Sequence, residues 1–330
     1  MQYRNFGNTS LVVSEIGFGS WAIGGNAMIG DTAIGWGKAD DDTSAKAIHA
    51  ALDAGINFFD TADIYGLGHS EELLGKELMD QKNVIIATKV GNVERDKKFT
   101  VDYSGDHIIK ACEASLRRLR RDNIDYYQLH SARIQHLEAG DCITAMQKLQ
   151  QQGKIKYWGL SLNTFSPDPE ADYLMERNLG NGFQLVFNII NQRSLELIRR
   201  SAKKGYGTIV RMPLQFGLLT GKFTEQSTFA RDDHRNFRLT KEVLEQTLPV
   251  LKNHVWPLAD HEHVSKTALA LSFILSIEEV STVIPGIRTP EHVEQNTTGL
   301  KRLSNDTMEK LFQMSRKELK PVLDLMEEKG

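Results

Sequence analysis

The stretch FFDTADIYG, residues 58–66, places an acid, Asp60, five residues before a phenol, Tyr65. Two further apolar segments, VIIATKV (84–90) and IDYYQLH (124–130), carry a lysine, Lys89, and a histidine, His130, at or near their ends. Acid, phenol, amine and imidazole are the groups from which a proton-transfer set is built. Each alone has another explanation. Asp60 could cap the turn that follows it, and Tyr65 could pack at a rim. Lys89 could be solvated, and His130 could be a hydrogen-bonded structural residue. Placement of all four on one rim would turn them into a site.

The elements that must position them follow from periodicity. Strands are read at Ser14–Gly19, Ile56–Asp60, Val84–Val90, Ile124–His130, Ile155–Ser161, Phe183–Asn188, Gly207–Met212 and Ser281–Gly286. Most are apolar on both alternations, the pattern of strands buried on both faces. Amphipathic helices lie between them. Thr43 is expected to cap a helix ending at Gly55, arginines gather at the end of a helix over Asp106–Asp122, and another runs over His136–Gln152. Strict alternation of β and α predicts a parallel sheet, and eight units predict a (β/α)8 TIM barrel. In a barrel, reactive groups sit at the C-terminal strand ends. Asp60, Tyr65, Lys89 and His130 then converge on one rim. The N-terminus reads as a β-hairpin turning at Gly7–Asn8–Thr9. The long interval between Met212 and Ser281 reads as an elaborated loop over the barrel mouth with two helical segments, and the tail from Asn305 as one closing amphipathic helix. No Pro/Ser linker isolates any part, so residues 1–330 are expected to form one barrel domain.

Composition narrows the function classes. Of 330 residues, 40% are hydrophobic and 25% charged, which excludes disordered and fibrous chains. A net charge of −3 gives no electrostatic reason to expect nucleic acid or an anionic membrane as partner. Cys112 and Cys142 form no CxxC or metal spacing and read as buried thiols in a reducing cytoplasm. The N-terminus lacks the basic and apolar regions of a signal peptide, and the apolar run 268–275 is too short to span a bilayer. A cytoplasmic location is the resulting expectation.

With these motifs in view, FFDTADIYG, IIATKVG and YYQLHS resemble the signature segments of the aldo-keto reductase family. The similarity continues through GLSLN, FQLVFN, MPLQFGLLTGK and VIPGIRTPEHVEQN, in the order the family uses. The resemblance implies a barrel that binds NADP(H), with NAD(H) as the variant, and transfers hydride between a nicotinamide and the carbonyl of an aldehyde, ketone or sugar. Tyr65 would be the proton donor. A phenol has an ordinary pKa of about 10, and Lys89 is expected to lower it, held in place by Asp60. His130 would orient the carbonyl oxygen and share in proton transfer.

The resemblance also assigns cofactor contacts. Ser161, Asn163 and Gln184, the first and last read as strand ends, would hold the nicotinamide carboxamide. Arg211 stands where the family commonly stacks an aromatic residue on the nicotinamide; a guanidinium can stack or donate there, the alternative being a rim ion pair. Pro213, Leu214, Gly217, Leu219, Gly221 and Lys222 would line the pyrophosphate. Gly286, Arg288, Thr289, His292, Gln295 and Asn296 would surround the adenosine end, with Thr289 and Pro290 as cap and first residue of a helix. Family members often carry lysine where Gly286 stands and arginine where His292 stands, so only Arg288 remains as a firm cation. Trp21 and Trp36 are expected in the substrate pocket.

Three patterns are set aside. PLQFGLLTGK lacks the spacing and the Ser or Thr of a Walker loop. Gly17-x-Gly19-x-x-Ala22 lacks the helix that a dinucleotide fingerprint requires. His261–Glu262–His263 lacks metal-ligand spacing, is read as a solvated segment opening a helix, and leaves no metal expected. A rival function is a regulatory cofactor-binding barrel subunit of a membrane channel, with little turnover. Partner oligomers are left open.

Overall fold

The structure, a computed structural model, describes residues 1–329. Segments apolar on both faces need cover on both sides, and the fold supplies it by closing one parallel sheet on itself inside a ring of helices. The strands are β1 (Phe18–Gly19), β2 (Phe58–Asp60), β3 (Ile85–Val90), β4 (Ile124–His130), β5 (Ile155–Ser161), β6 (Gly182–Val186), β7 (Gly207–Arg211) and β8 (Thr282–Ile284). Each pairs with the next in parallel. β1 and β8 complete the ring through Gly17 N–H to the Val283 carbonyl at 2.8 Å and Gly19 N–H to the Pro285 carbonyl at 3.0 Å. The chain is thus a closed (β/α)8 barrel.

Helices α1 (Asp41–Asp53), α2 (His69–Glu77), α3 (Gly105–Leu119), α4 (Asp141–Gln151), α5 (Asp168–Glu176), α6 (Leu195–Lys203), α7 (Lys266–Leu275) and α8 (Pro290–Thr297) follow the strands in turn. No helix among the described residues is long and apolar enough to cross a membrane.

The N-terminal hairpin, Tyr3–Asn5 with Val12–Ser14, closes the bottom of the barrel. Phe6 enters it and meets Tyr126 edge-on at 4.8 Å between ring centres. Gly182 and Gly207 make room, since a Cβ on either would lie 2.6 Å from the Phe6 ring. The bottom is therefore an apolar plug, and polar side chains are left to the top.

Several expectations are corrected locally. α1 begins three residues earlier than expected because Asp40, not Thr43, is its cap, accepting from Thr43 N–H at 2.8 Å. The expected helix over His136–Gln152 is two, Ile134–Ala139 and α4, parted by Gly140 at a φ of 84°. The C-terminal helix is also two, α9 (Asn305–Arg316) and α10 (Lys320–Glu328), because the chain leaves helical geometry at Lys317 before Pro321. His261–Glu262–His263 ends a helix (Trp256–His261) instead of opening one. Glu262 is buried, pairing with Lys301 at 2.7 Å and capping Ser304. Two small hairpins, Met28–Ile29 with Thr32–Ala33 and Asn92–Arg95 with Lys98–Val101, were not foreseen.

The long connection between β7 and α7 crosses the barrel mouth. Trp36 and Asp233 form an antiparallel bridge, and His234 N–H donates to the Gly35 carbonyl at 3.0 Å. The loop after β1 and the loop after β7 thus form one strap over the top.

Candidate active site

The ends of β2, β3 and β4 place three of the four residues, and the turn after β2 the fourth. Lys89 is fully buried and Asp60 is 2% exposed. Lys89 Nζ donates to Asp60 Oδ1 at 2.6 Å, to the Thr61 carbonyl at 2.7 Å and to Tyr65 Oη at 3.3 Å. All three ammonium protons are accounted for. Asp60 Oδ2 accepts from Gln184 Nε2 at 2.7 Å and from Gln128 Nε2 at 3.2 Å. A buried ion pair survives only when its remaining lone pairs are satisfied, and the two glutamines do that here. Gln128 was missed in the sequence. Alternation along β4 was the available signal, because Gln128 shares its face with His130.

Tyr65 opens a short 3-10 turn, Tyr65–Gly68. Gly66 is required in it. Its φ is 62°, and a Cβ would lie 2.3 Å from the Gly24 carbonyl oxygen, so the tyrosine turn and the loop after β1 approach through a glycine. Trp21 stacks on Tyr65 at 5.8 Å, and His130 meets it edge-on at 6.0 Å. His234, from the loop after β7, packs on Trp21 at 4.7 Å and completes an aromatic wall with Trp36 and Phe216. Tyr103 Oη donates to the His130 carbonyl at 2.6 Å, fixing the end of β4.

The electrostatics revise one expectation. Burial drives the Tyr65 phenol above its ordinary value, outweighing the opposing pull of Lys89, with Asp60 adding to the rise. Lys89 therefore limits the rise of the phenol's pKa instead of producing a lowered one. Burial alone would lower the Lys89 ammonium, but Asp60 and Tyr65 hold it above its ordinary value. Burial, then the cations Lys89 and Arg211, keep His130 well below the usual imidazole range. His130 is neutral at pH 7, and its Nδ1 is buried without a partner.

A cavity of about 1640 Å3 runs from this cluster to α8. Trp21, Trp36, Asp60, Tyr65 and His130 line one end of it. Ser161 closes β5 and Gln184 stands inside β6, not at its end as expected; both reach the cavity wall. Arg211, Pro213, Leu214, Gly217 and Lys222 continue the wall, and Gly286, Arg288, His292, Gln295 and Asn296 finish it. Lys89 sits behind the wall. Asn163 is not brought to it: its Oδ1 accepts from Phe165 N–H at 3.1 Å and Ser166 N–H at 3.0 Å and shapes the loop. Leu219 is buried in the core, Gly221 supports a left-handed turn at φ 75°, and Thr289 caps α8 by accepting from His292 N–H. Arg211 forms no ion pair among the described residues; it donates to the Leu162 carbonyl at 3.1 Å and Thr164 Oγ1 at 3.2 Å.

The distal end is electrostatically different. Lys222 and Arg288 line it without a carboxylate partner among the described residues, while Arg235 is paired with Asp233. Burial, then Arg235 and Arg288, lower the Lys222 ammonium, and burial with Lys222 and Arg288 lowers His292. Clustered, unpaired cations at a helix N-terminus are an anion site in waiting.

The aldo-keto reductase YhdN of Bacillus subtilis is 32% identical over 89% of this chain and 87% of its own. A probable voltage-gated potassium channel subunit beta of Oryza sativa is 29% identical over 91% of each chain. The solved glycerol dehydrogenase AKR11B4 from Gluconobacter oxydans is 29% identical, with a TM-score of 0.79 over 95% of each chain. The family model described as Aldo/keto reductase family matches residues 15–316, and the chain belongs to that family of oxidoreductases.

Proposed function

We propose that this protein reduces aldehydes, ketones or sugars with NADPH, NADH being the weaker partner, and runs the reverse oxidation on the matching alcohols. The observation that carries the reading is Tyr65 Oη held 3.3 Å from a fully buried Lys89, itself 2.6 Å from Asp60, at one end of a cavity of about 1640 Å3 that extends to Arg288 and Asn296. The fit of such a cofactor is supported at the other end too, where Lys222 and Arg288 lack anionic partners among the described residues. Ser161 and Gln184 would hold the nicotinamide amide. Pro213 to Lys222 would hold the pyrophosphate, and Arg288, His292, Gln295 and Asn296 the adenosine with its 2′-phosphate. When bound, the nicotinamide supplies the hydride.

The chain's own residues handle the proton. Tyr65 keeps its phenolic proton at neutral pH, because burial raises its pKa, and gives it to the carbonyl oxygen as negative charge builds there. Lys89 stabilises the resulting phenolate by its hydrogen bond and charge. Asp60, fixed by Gln128 and Gln184, keeps Lys89 aimed and charged. His130, neutral, orients the oxygen without delivering the proton, which narrows its expected part in proton transfer. Trp21, Trp36 and His234 wall the substrate side.

The test is consumption of NADPH and of NADH across a panel of aldehydes, ketones and sugars, by the protein and by Tyr65→Phe. Turnover that the variant loses supports the reading. Tight cofactor binding with no turnover on any substrate overturns it in favour of the regulatory-subunit function, which the channel-subunit relative keeps in play.

A further inference from the structure

Two arginines near Tyr65 form no ion pair among the described residues; Asp60, whose charge reaches Arg211, is already paired with Lys89. Arg211, at the end of β7, lines the cavity, and all its partners are neutral: the Leu162 carbonyl, Thr164 Oγ1 and Met212 Sδ. Its Nε is buried with no partner. Arg238 belongs to the short helix Arg235–Arg238 in the strap, and its Nε is likewise buried with no partner. Its guanidinium lies 5.0 Å from the Phe237 ring. Phe237 packs on His234 at 4.5 Å, His234 on Trp21 at 4.7 Å, and Trp21 on Tyr65 at 5.8 Å. Arg238 thus stands behind the aromatic wall whose front faces the reacting phenol.

Other charges at this end are matched. Lys89 has Asp60, and the Arg235 that lies between the two ends has Asp233. The wall itself offers no negative group: Trp21, Trp36 and Phe216 are uncharged, and burial takes His234 down to about 4. Burial depresses both guanidinium groups; at Arg211 the charges of Tyr65 and Asp60 oppose the shift and Arg238 adds to it. Holding two half-buried guanidinium groups, each with a buried unpartnered Nε, without an anion carries a cost that a ligand anion would relieve. The dinucleotide phosphates have their own cations at the far end of the cavity in Lys222 and Arg288. The unmatched charge beside Tyr65 is therefore left for the substrate.

We propose that Arg211, reinforced from behind the wall by Arg238, is a specificity-determining anion contact, so that the preferred carbonyl substrate carries a carboxylate or phosphate a few atoms from the reacting carbon. The inference rests on the reductase reading above. A guanidinium suits either anion because its planar fork matches both.

The experiment compares charged and neutral partners of the same skeleton: 4-oxobutanoate against butanal for carboxylate, and glyceraldehyde 3-phosphate against glyceraldehyde for phosphate. The expected result is a kcat/KM ratio favouring the anionic partner in at least one pair by about tenfold or more, the weight of a charge-assisted hydrogen bond. Which pair shows it identifies the anion. Arg211→Gln should bring that ratio to near one, Arg211→Lys should restore part of it, and Arg238→Gln should reduce it by a smaller factor. Ratios near one in both pairs for the unaltered protein would overturn the proposal. So would ratios that survive Arg211→Gln and Arg238→Gln while only cofactor affinity moves. If no carbonyl is turned over at all, the reductase reading falls, and the anion contact is then judged by calorimetric titration of the cofactor-loaded protein with succinate and with phosphate. Binding of either that Arg211→Gln abolishes supports the contact, and absence of binding overturns it.

Discussion

The two ends of the cavity treat charge in opposite ways. At the end under Tyr65, the central ion pair is satisfied before any ligand arrives: Lys89 by Asp60, Thr61 and Tyr65, and Asp60 by Gln128 and Gln184. At the end under α8, Lys222 and Arg288 have no acid partner among the described residues. The first is a preorganised device in which one group's removal strands another. The second is a set of separate cations whose contributions should come off one at a time. Substitutions at the two ends should therefore differ in kind as well as in size.

The largest effect should come from Tyr65→Phe, which removes the proton and little else. Carbonyl reduction should fall by about 100- to 10,000-fold, the usual weight of a general acid, while the cofactor dissociation constant stays within about twofold, well under the weight of one charged hydrogen bond. Steady-state kinetics beside fluorescence titration would check both, and a variant near normal turnover would remove Tyr65 from its role. Next is Lys89→Met. It leaves Asp60 buried without its cation, which should cost about 3–5 kcal/mol of stability in addition to activity. Denaturant unfolding measures that cost. A loss under about 1 kcal/mol, the range of an exposed pair, would mean that the network does not behave as one unit.

The same contrast explains what was legible in the sequence. The barrel, its eight strands and the convergence of Asp60, Tyr65, Lys89 and His130 could be read because each sits in a strand or one turn beyond it, where the period of two fixes direction. Alternation along YYQLH would also have yielded Gln128. The strap was legible in outline only. The interval between Met212 and Ser281, with ARDDHRNFR in it, reads as a loop over the mouth, but no periodicity says which of its side chains turn inward; the bridge from Trp36 to Asp233 is what sets His234 against Trp21. Asn163 was misplaced because motif position says nothing of a side chain that closes its own turn. The direction of the Tyr65 shift was missed because a neighbouring lysine is visible in the sequence and desolvation is not.

At the distal end the expected effects are smaller and separable. Arg288→Gln should weaken NADPH about tenfold and NADH far less, as loss of one charge-assisted contact to a phosphate would. Equal weakening of both cofactors would place Arg288 on the shared pyrophosphate. Gly286→Lys works in the other direction. A side chain there meets nothing within 4 Å, so a lysine can be added without displacing a neighbour. It should tighten NADPH by about two- to fivefold, the range of one exposed charge contact, and leave NADH unchanged. Isothermal titration of the two dinucleotides reads both variants.

The smallest effect lies in pH, and it returns to the reaction end. Folded His130 is depressed below its ordinary value by burial and by Lys89 and Arg211, so its contribution depends on what the unfolded chain does. Above the ordinary imidazole pKa of about 6.5, both states hold the ring neutral and nothing is gained or lost. As pH falls through that value the unfolded chain binds a proton that the folded one refuses, and stability drops by up to about 1.4 kcal/mol per pH unit for this one group. His130→Gln removes the titration while keeping a polar side chain. Unfolding free energies of protein and variant should then diverge in slope between about pH 6.5 and pH 5 and run parallel above, because only the unaltered chain takes up that proton. Parallel curves throughout would mean that His130 takes up its proton in the fold as readily as in the unfolded chain, and below about pH 6.5 the oxygen beside Tyr65 would then face a cationic imidazole instead of a neutral donor.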